Sequence, residues 1–186
     1  MFQFTRPLIK TSILPLRLLR FSSTEAYTNA LTHLKKDLKA AMLAKDDTKK
    51  TTIRSMLSTI KNNEIAQNGK EATFSEFTLF DTYSKMIKES QESIKEFQEN
   101  DRKDLMEKES AEMEIVKSYL RQLPVTSEEE VDVKVFELLK SLKENDKDLQ
   151  IKNVFGKVNW RDLSNEWKTS PTVIKRSILR QFKDAL

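Results

Sequence analysis

Apolar residues along this chain recur at intervals of three and four, the spacing of one face of an α-helix. The clearest case runs from Phe80 to Leu120. Phe80, Tyr83, Ile87, Ile94 and Phe97 keep a single face, with Ser90 in the gap, and Leu105, Met106, Met113, Val116, Tyr119 and Leu120 supply a second stripe. Between them Asp101 is placed to offer a cap oxygen, and Asp104 falls in the next first turn, where negative charge favours a helix start. Two helices joined this closely are predicted to lie antiparallel as a hairpin.

The same reading extends in both directions. Tyr27, Leu31, Leu34, Leu38, Ala41 and Met42 predict a helix from Glu25 to Ala44, followed by the polar turn Lys45-Asp46-Asp47. Ile53, Met56, Leu57 and Ile60 predict a second, from Thr48 to Gln67, with Asn68-Gly69 as its left-handed stop. Thr73 with Glu76 is a capping-box pattern opening the long third helix. Pro124 ends the fourth helix, and Ser127 with Glu130 makes another box ahead of Val131, Val135, Leu138, Leu139 and Leu142. A polar linker, Lys143 to Lys147, leads to a short helical piece around Val154 to Val158. Ser170 caps a last helix with Pro171 in its first turn and Val173, Ile174, Ile178 and Phe182 on its buried side. The pattern predicts an all-α fold: an N-terminal helical hairpin or bundle over residues 25–123, then a small C-terminal helical subdomain over residues 124–186.

Composition narrows what such a fold can do. Of 186 residues, 38% are apolar and 33% charged, as suits helices with wide solvated faces. Two glycines and four prolines leave little material for a phosphate-cradling loop, and the lack of cysteine excludes disulfides, thiolate metal sites and cysteine nucleophiles. No apolar run approaches the ~18 residues that a membrane span needs.

The net charge of +4 is local. Residues 1–22 carry Arg6, Lys10, Arg17 and Arg20 and no acid; removing these four from 33 basic residues leaves 29, matching the 29 acids. That leader is hydroxyl-bearing, acid-free and amphipathic in short pieces, the features of a mitochondrial transit peptide removed near Phe21 to Ser23. A retained membrane-surface anchor is the alternative. Beyond the leader, residues 101–149 are net acidic and residues 150–186 net basic. That shift places a boundary near residues 121–127.

Few residues suggest chemistry. His33 is the single histidine, beside an apolar stripe and without a sequence-adjacent partner. Glu64, Ser90 and Glu109 fall on otherwise apolar faces. Paired carboxylates there would be an acid–base couple or metal ligands; pairing with Arg54, Arg102 or a lysine would instead fix helix register. At the basic end, Lys175, Arg176, Arg180 and Lys183 are candidate phosphate contacts, with Trp160 and Trp167 either as stacking partners or as packing residues.

Two stretches carry a family resemblance. Ala41-Met42, Ala44-Lys45-Asp46, Arg54, Leu57, Lys61-Asn62 and Glu64-Ile65 resemble the opening motif of the YqeY-like proteins. Ser93, Ile94, Phe97, Arg102, Asp104-Leu105, Glu107-Lys108-Glu109, Glu112, Tyr119-Leu120 and Gln122-Leu123 sit at that family's spacing. The family usually writes proline directly after the Tyr-Leu pair; here Arg121 follows and the proline is Pro124, which predicts a fourth helix about one turn longer. The resemblance implies an all-helical protein whose C-terminal part is similar to the tail of the amidotransferase B subunit, a domain that helps to hold tRNA; the transit-like leader adds the mitochondrion, with the matrix as the expected compartment. It also implies a family label, carbon–nitrogen ligase with glutamine as amido-N-donor. Amide transfer needs an activated nucleophile and a cradle for ATP phosphates, and neither signature is visible. No catalytic residue, cofactor or metal is therefore assigned. Expected partners are tRNA or mitochondrial amidotransferase components; a ligase activity and a protein–protein adaptor remain the alternatives.

Overall fold

The computed structural model describes residues 23–66, 74–145 and 150–184; the leader, Asn68-Gly69 and Thr73 lie outside them. Among the described residues eight helices follow in order: α1 (Glu25–Ala44), α2 (Asp47–Ala66), α3 (Glu76–Glu99), α4 (Lys103–Leu120), α5 (Glu128–Asn145), α6 (Ile151–Lys157), α7 (Trp160–Trp167) and α8 (Pro171–Asp184). Among the described residues there is no strand, only an isolated bridge between Ser23 and Phe74.

Helix ends follow local chemistry, with three departures from expectation. Thr24 caps α1 by accepting from the Tyr27 amide, and Ser170 caps α8 by accepting from the Thr172 amide. Asp101 does not cap α4. It takes the left-handed conformation at φ 52°, while the Arg102 amide donates to Phe97 O and the Asp101 amide to Gln98 O. That is the closure that satisfies the last carbonyls of α3, and aspartate is among the residues that tolerate it. At α3, Ser75 holds the cap position without a side-chain bond. Glu76 accepts instead from Thr24 Oγ1, at 2.6 Å. Finally, α4 stops at Leu120 rather than running a turn further, because residues 121–123 curl into tight turns ahead of Pro124.

Two hydrophobic cores organise these helices. The first gathers Tyr27, Leu34, Ile53, Met56, Ile60, Leu79, Tyr83, Val116 and Tyr119 from α1 to α4 around the α3–α4 hairpin. The second gathers Val131, Val135 and Leu139 of α5, Val154, Trp167, and Val173, Ile174 and Ile178 of α8. Phe80 packs against both. Polar bonds fix the junction. Ser170 Oγ donates to the Asp81 carboxylate at 2.8 Å and Thr172 Oγ1 donates to it at 3.1 Å. Thr126 donates through its amide to Lys168 O and through its hydroxyl to Trp167 O. Asp81 thus accepts from two hydroxyls at the start of α8 and ties that helix to α3.

Candidate functional site

In α8, Val173, Ile174 and Ile178 turn into the second core, which leaves Lys175, Arg176 and Arg180 on the outer, exposed side. Lys183 belongs to the last turn of the same helix. Two of these cations already hold acids of α5. Arg176 Nη1 lies 3.4 Å from Glu128 Oε1, and Arg180 Nη2 bonds Asp132 Oδ2. Their side chains nevertheless stay 60% and 55% exposed. Five donors per guanidinium leave unused ones on each after a single carboxylate contact.

Asp132 is the centre of this contact. It accepts from Ser177 Oγ at 2.6 Å, from Arg180 and from Gln181 Nε2, which also bonds the Asp132 carbonyl at 2.8 Å. Burial alone would raise its carboxyl, but the bonds from Ser177, Arg180 and Gln181 outweigh that and hold it below the usual range. No spacing in the sequence points to Asp132, because its partners lie 45 to 49 residues away.

Both tryptophans already have partners within the protein. Trp167 is buried in the second core at 8% exposure. Trp160 stacks on Phe155 with 5.6 Å between ring centroids, and Lys175 Nζ sits 4.9 Å from the Trp160 centroid, in cation–π range.

The three polar residues on apolar faces separate. Glu64 accepts from Tyr27 OH at 2.7 Å and from Lys61 Nζ at 3.0 Å. Burial opposes its ionisation, yet these two bonds lower its pKa, while burial and Glu64 together push the Tyr27 phenol well above its usual value. Away from Glu64, Ser90 and Glu109 both line a small groove of about 210 Å³ between α2, α3 and α4, together with Glu89 and Glu112. Arg102 pairs with Asp104, so it is not the partner expected for Glu109. Glu64 and Glu109 therefore form no carboxylate couple, and among the described residues no group of three or more His, Asp or Glu could hold a metal ion. His33 lies 4.0 Å from Asp37, which accepts from Tyr119 OH at 2.7 Å and has Lys49 Nζ at 3.8 Å.

Glu64→Gln tests this structural role. The charged acceptor for Tyr27 is lost, and stability at neutral pH falls by about 1–2 kcal/mol, discounted because the side chain is 23% exposed. Because folding lowers the Glu64 pKa, the wild-type contribution is present above the unfolded value of 4.5 and fades as pH falls through the folded one. Urea melts of both proteins at pH 7 and pH 3 should show the gap close in acid.

Comparison with known proteins shows the family. Residues 31–161 match the family described as "Yqey-like protein". The chain is 51% identical over 184 residues to "Altered inheritance of mitochondria protein 41, mitochondrial" of Saccharomyces cerevisiae strain YJM789, covering 98% of this chain and 97% of that one. The proteins of the same name in Lachancea thermotolerans and Kluyveromyces lactis are 52% and 46% identical, covering 88% and 95% of this chain and 87% and 95% of theirs. With the family matched over most of its length and relatives named as mitochondrial at this identity, the chain belongs to the YqeY-like family and is a mitochondrial protein.

Proposed function

We propose that this protein is a non-catalytic accessory factor of the mitochondrial matrix that binds tRNA through the outer face of α8, in the service of glutamine-dependent amide transfer on tRNA. The observation that carries this reading is the line of Lys175, Arg176 and Arg180 on one exposed helical face, with Lys183 in its final turn. Arg176 and Arg180 are braced by Glu128 and Asp132 yet more than half exposed, so each guanidinium is positioned while keeping donors for a phosphate. The similarity to the amidotransferase tail that the family implies for the C-terminal part supplies the choice of tRNA. It is also the source of the ligase label, which describes the family rather than a constellation of residues in this chain.

The non-catalytic part of the proposal rests on the residues themselves. Among the described residues His33 is hydrogen-bonded to no serine or threonine hydroxyl, and the Ser170–Asp81 and Ser177–Asp132 bonds join helices where both serines are buried. Neither pair has the exposed nucleophile with a positioned base that covalent chemistry needs.

Crosslinking in intact mitochondria, followed by recovery of this protein with and without nuclease, tests the proposal. The expected result is enrichment of tRNA that nuclease removes. Recovery of protein partners that nuclease leaves untouched would favour an adaptor instead, a reading supported by Val133 and Phe136, which are 60% and 57% exposed on α5.

A further inference from the structure

We propose that this protein docks tip first on an anionic lipid surface, through the turn that joins α1 to α2. The apolar part of the tip is Met42 and Leu43. Leu43 is 86% exposed, well above Val133 at 60%, the next large apolar side chain among the described residues, and Met42 is 50% exposed. Leu34 and Ala41 turn the opposite side of α1 into the fold, so Leu43 faces solvent. Ala40 and Ala44 flank it, exposed and without polar atoms in their side chains. Lys45 then takes the left-handed conformation at φ 55°, and its amide closes on Ala41 O and Met42 O, so α1 ends with Leu43 in its last turn.

Charge names the surface. Residues 35–50 hold six lysines against three aspartates, a net of +3 in a chain that is neutral beyond its leader. The aspartates are engaged: Asp37 accepts from Tyr119 OH, Asp46 caps α2 by accepting from the Lys49 amide, and Asp47 pairs with Lys50. Lys36, Lys39 and Lys45 are exposed and form no ion pair among the described residues. Lys36, Lys39 and Leu43 fall at intervals of three and four, on one face of α1. The helical rise sets Lys39 about 6 Å and Lys36 about 10 Å behind Leu43. Interfacial helices sink their apolar surface roughly 5–10 Å below the headgroups, so both ammonium groups lie at phosphate level when Leu43 and Met42 reach the acyl chains.

The residue types of the tip select lipid over nucleic acid. Residues 35–50 contain no arginine and no aromatic ring, the groups that hold phosphates bidentately and stack on bases. A phosphodiester backbone offers an exposed leucine nothing apolar to bury against, whereas acyl chains do. The tip also lies on different helices from the cations of α8, so it stands whether or not that face binds tRNA.

The test is flotation of the full-length chain with phosphatidylcholine vesicles, with and without phosphatidylglycerol. The basic leader binds such vesicles by itself, so the readout is the effect of tip substitutions with the leader held constant. Met42→Ser with Leu43→Ser weakens binding to the phosphatidylglycerol vesicles by about tenfold or more. Lys36→Gln with Lys39→Gln and Lys45→Gln weakens it by at least about tenfold at low salt, a difference that high salt erases. Because the chain has no cysteine, Met42→Cys places one environment-sensitive dye at the tip, and Val133→Cys places one on α5 as a control. On bound protein the dye at position 42 shifts to the blue and the dye at position 133 does not. A dye at position 42 that stays in water on bound protein, or tip variants that float like wild type, would assign binding to the leader alone and overturn the proposal. Lysine variants that lose tRNA but float like wild type would make the tip a nucleic-acid contact and overturn it as well. If a tip variant loses its cooperative melt, the two labelled chains decide.

Discussion

Ile174→Ala lowers the stability of the C-terminal core by about 2–5 kcal/mol. Ile174 is fully buried, at 0% exposure, with Val131, Val135, Val154 and Ile178 around it at the same value. Removing its outer carbons forfeits their transfer energy and leaves a cavity between α5 and α8, two helices held by stiff β-branched packing that cannot readily collapse into the gap. The chain's two tryptophans, Trp160 and Trp167, both belong to this core, so tryptophan fluorescence reports on it selectively. The fluorescence melt should shift down by roughly 2–4 °C per kcal/mol lost if the chain melts as one unit, and by about 4–8 °C if the C-terminal core melts alone. Met56→Ala in the first core, also at 0% exposure, provides the contrast. If the cores melt separately, it moves the circular dichroism transition and spares the fluorescence; if both probes move together in both variants, the Phe80 and Asp81 junction makes the chain one cooperative unit.

Asp132→Ala has the second-largest expected effect, a loss of about 2–3 kcal/mol at pH 7. The change strips the acceptor from Ser177, which is 3% exposed, and from Arg180 and Gln181. The sign of the pH dependence follows from the direction of the shift. Folding lowers the Asp132 pKa below the unfolded value of 3.8, so its stabilisation is complete above that value and disappears as pH falls through the folded one. Wild type and Asp132→Ala should thus differ most at neutral pH and converge in strong acid. A difference that stays constant down to about pH 2 would mean that Asp132 acts by packing and not through its charge. The same variant releases Arg180 from its brace, which separates two roles of that residue: structural partner of α5 and candidate phosphate contact.

Elements with a local cause were legible in the sequence. The span of α1 could be read from its stripe and from the polar turn that begins at Lys45, and the start of α8 from Ser170-Pro171. Trp160, Leu163 and Trp167, at intervals of three and four, carry the signal for α7, a stripe too short to mark a helix by pattern alone. Asp101 misled because aspartate suits both an N-cap and a left-handed turn, and the need to close α3 decided between them. Tertiary polar bonds were not legible. Tyr119 meets Asp37 across 82 residues and Ser170 meets Asp81 across 89, and no pattern along the chain encodes such pairs. The candidate cations of α8 could be named from the sequence, but their bracing by Glu128 and Asp132 required the packing of α5 on α8.

The bracing gives the functional proposal its sharpest form. Cations that are spent on their own acids would make α8 a structural strut; cations held in place but still exposed make it a surface for phosphates. Filter binding of mitochondrial tRNA to the folded protein between 50 and 200 mM salt separates these cases. With three to four phosphate contacts, affinity should fall roughly 20- to 50-fold over that range, and Lys175→Gln with Arg176→Gln should weaken binding and flatten the salt slope while the melt shifts by only a few degrees, as expected for loss of the exposed Arg176–Glu128 and Lys175–Trp160 contacts. No saturable binding at the lower salt, or a slope and affinity indifferent to those two substitutions, would contradict the account.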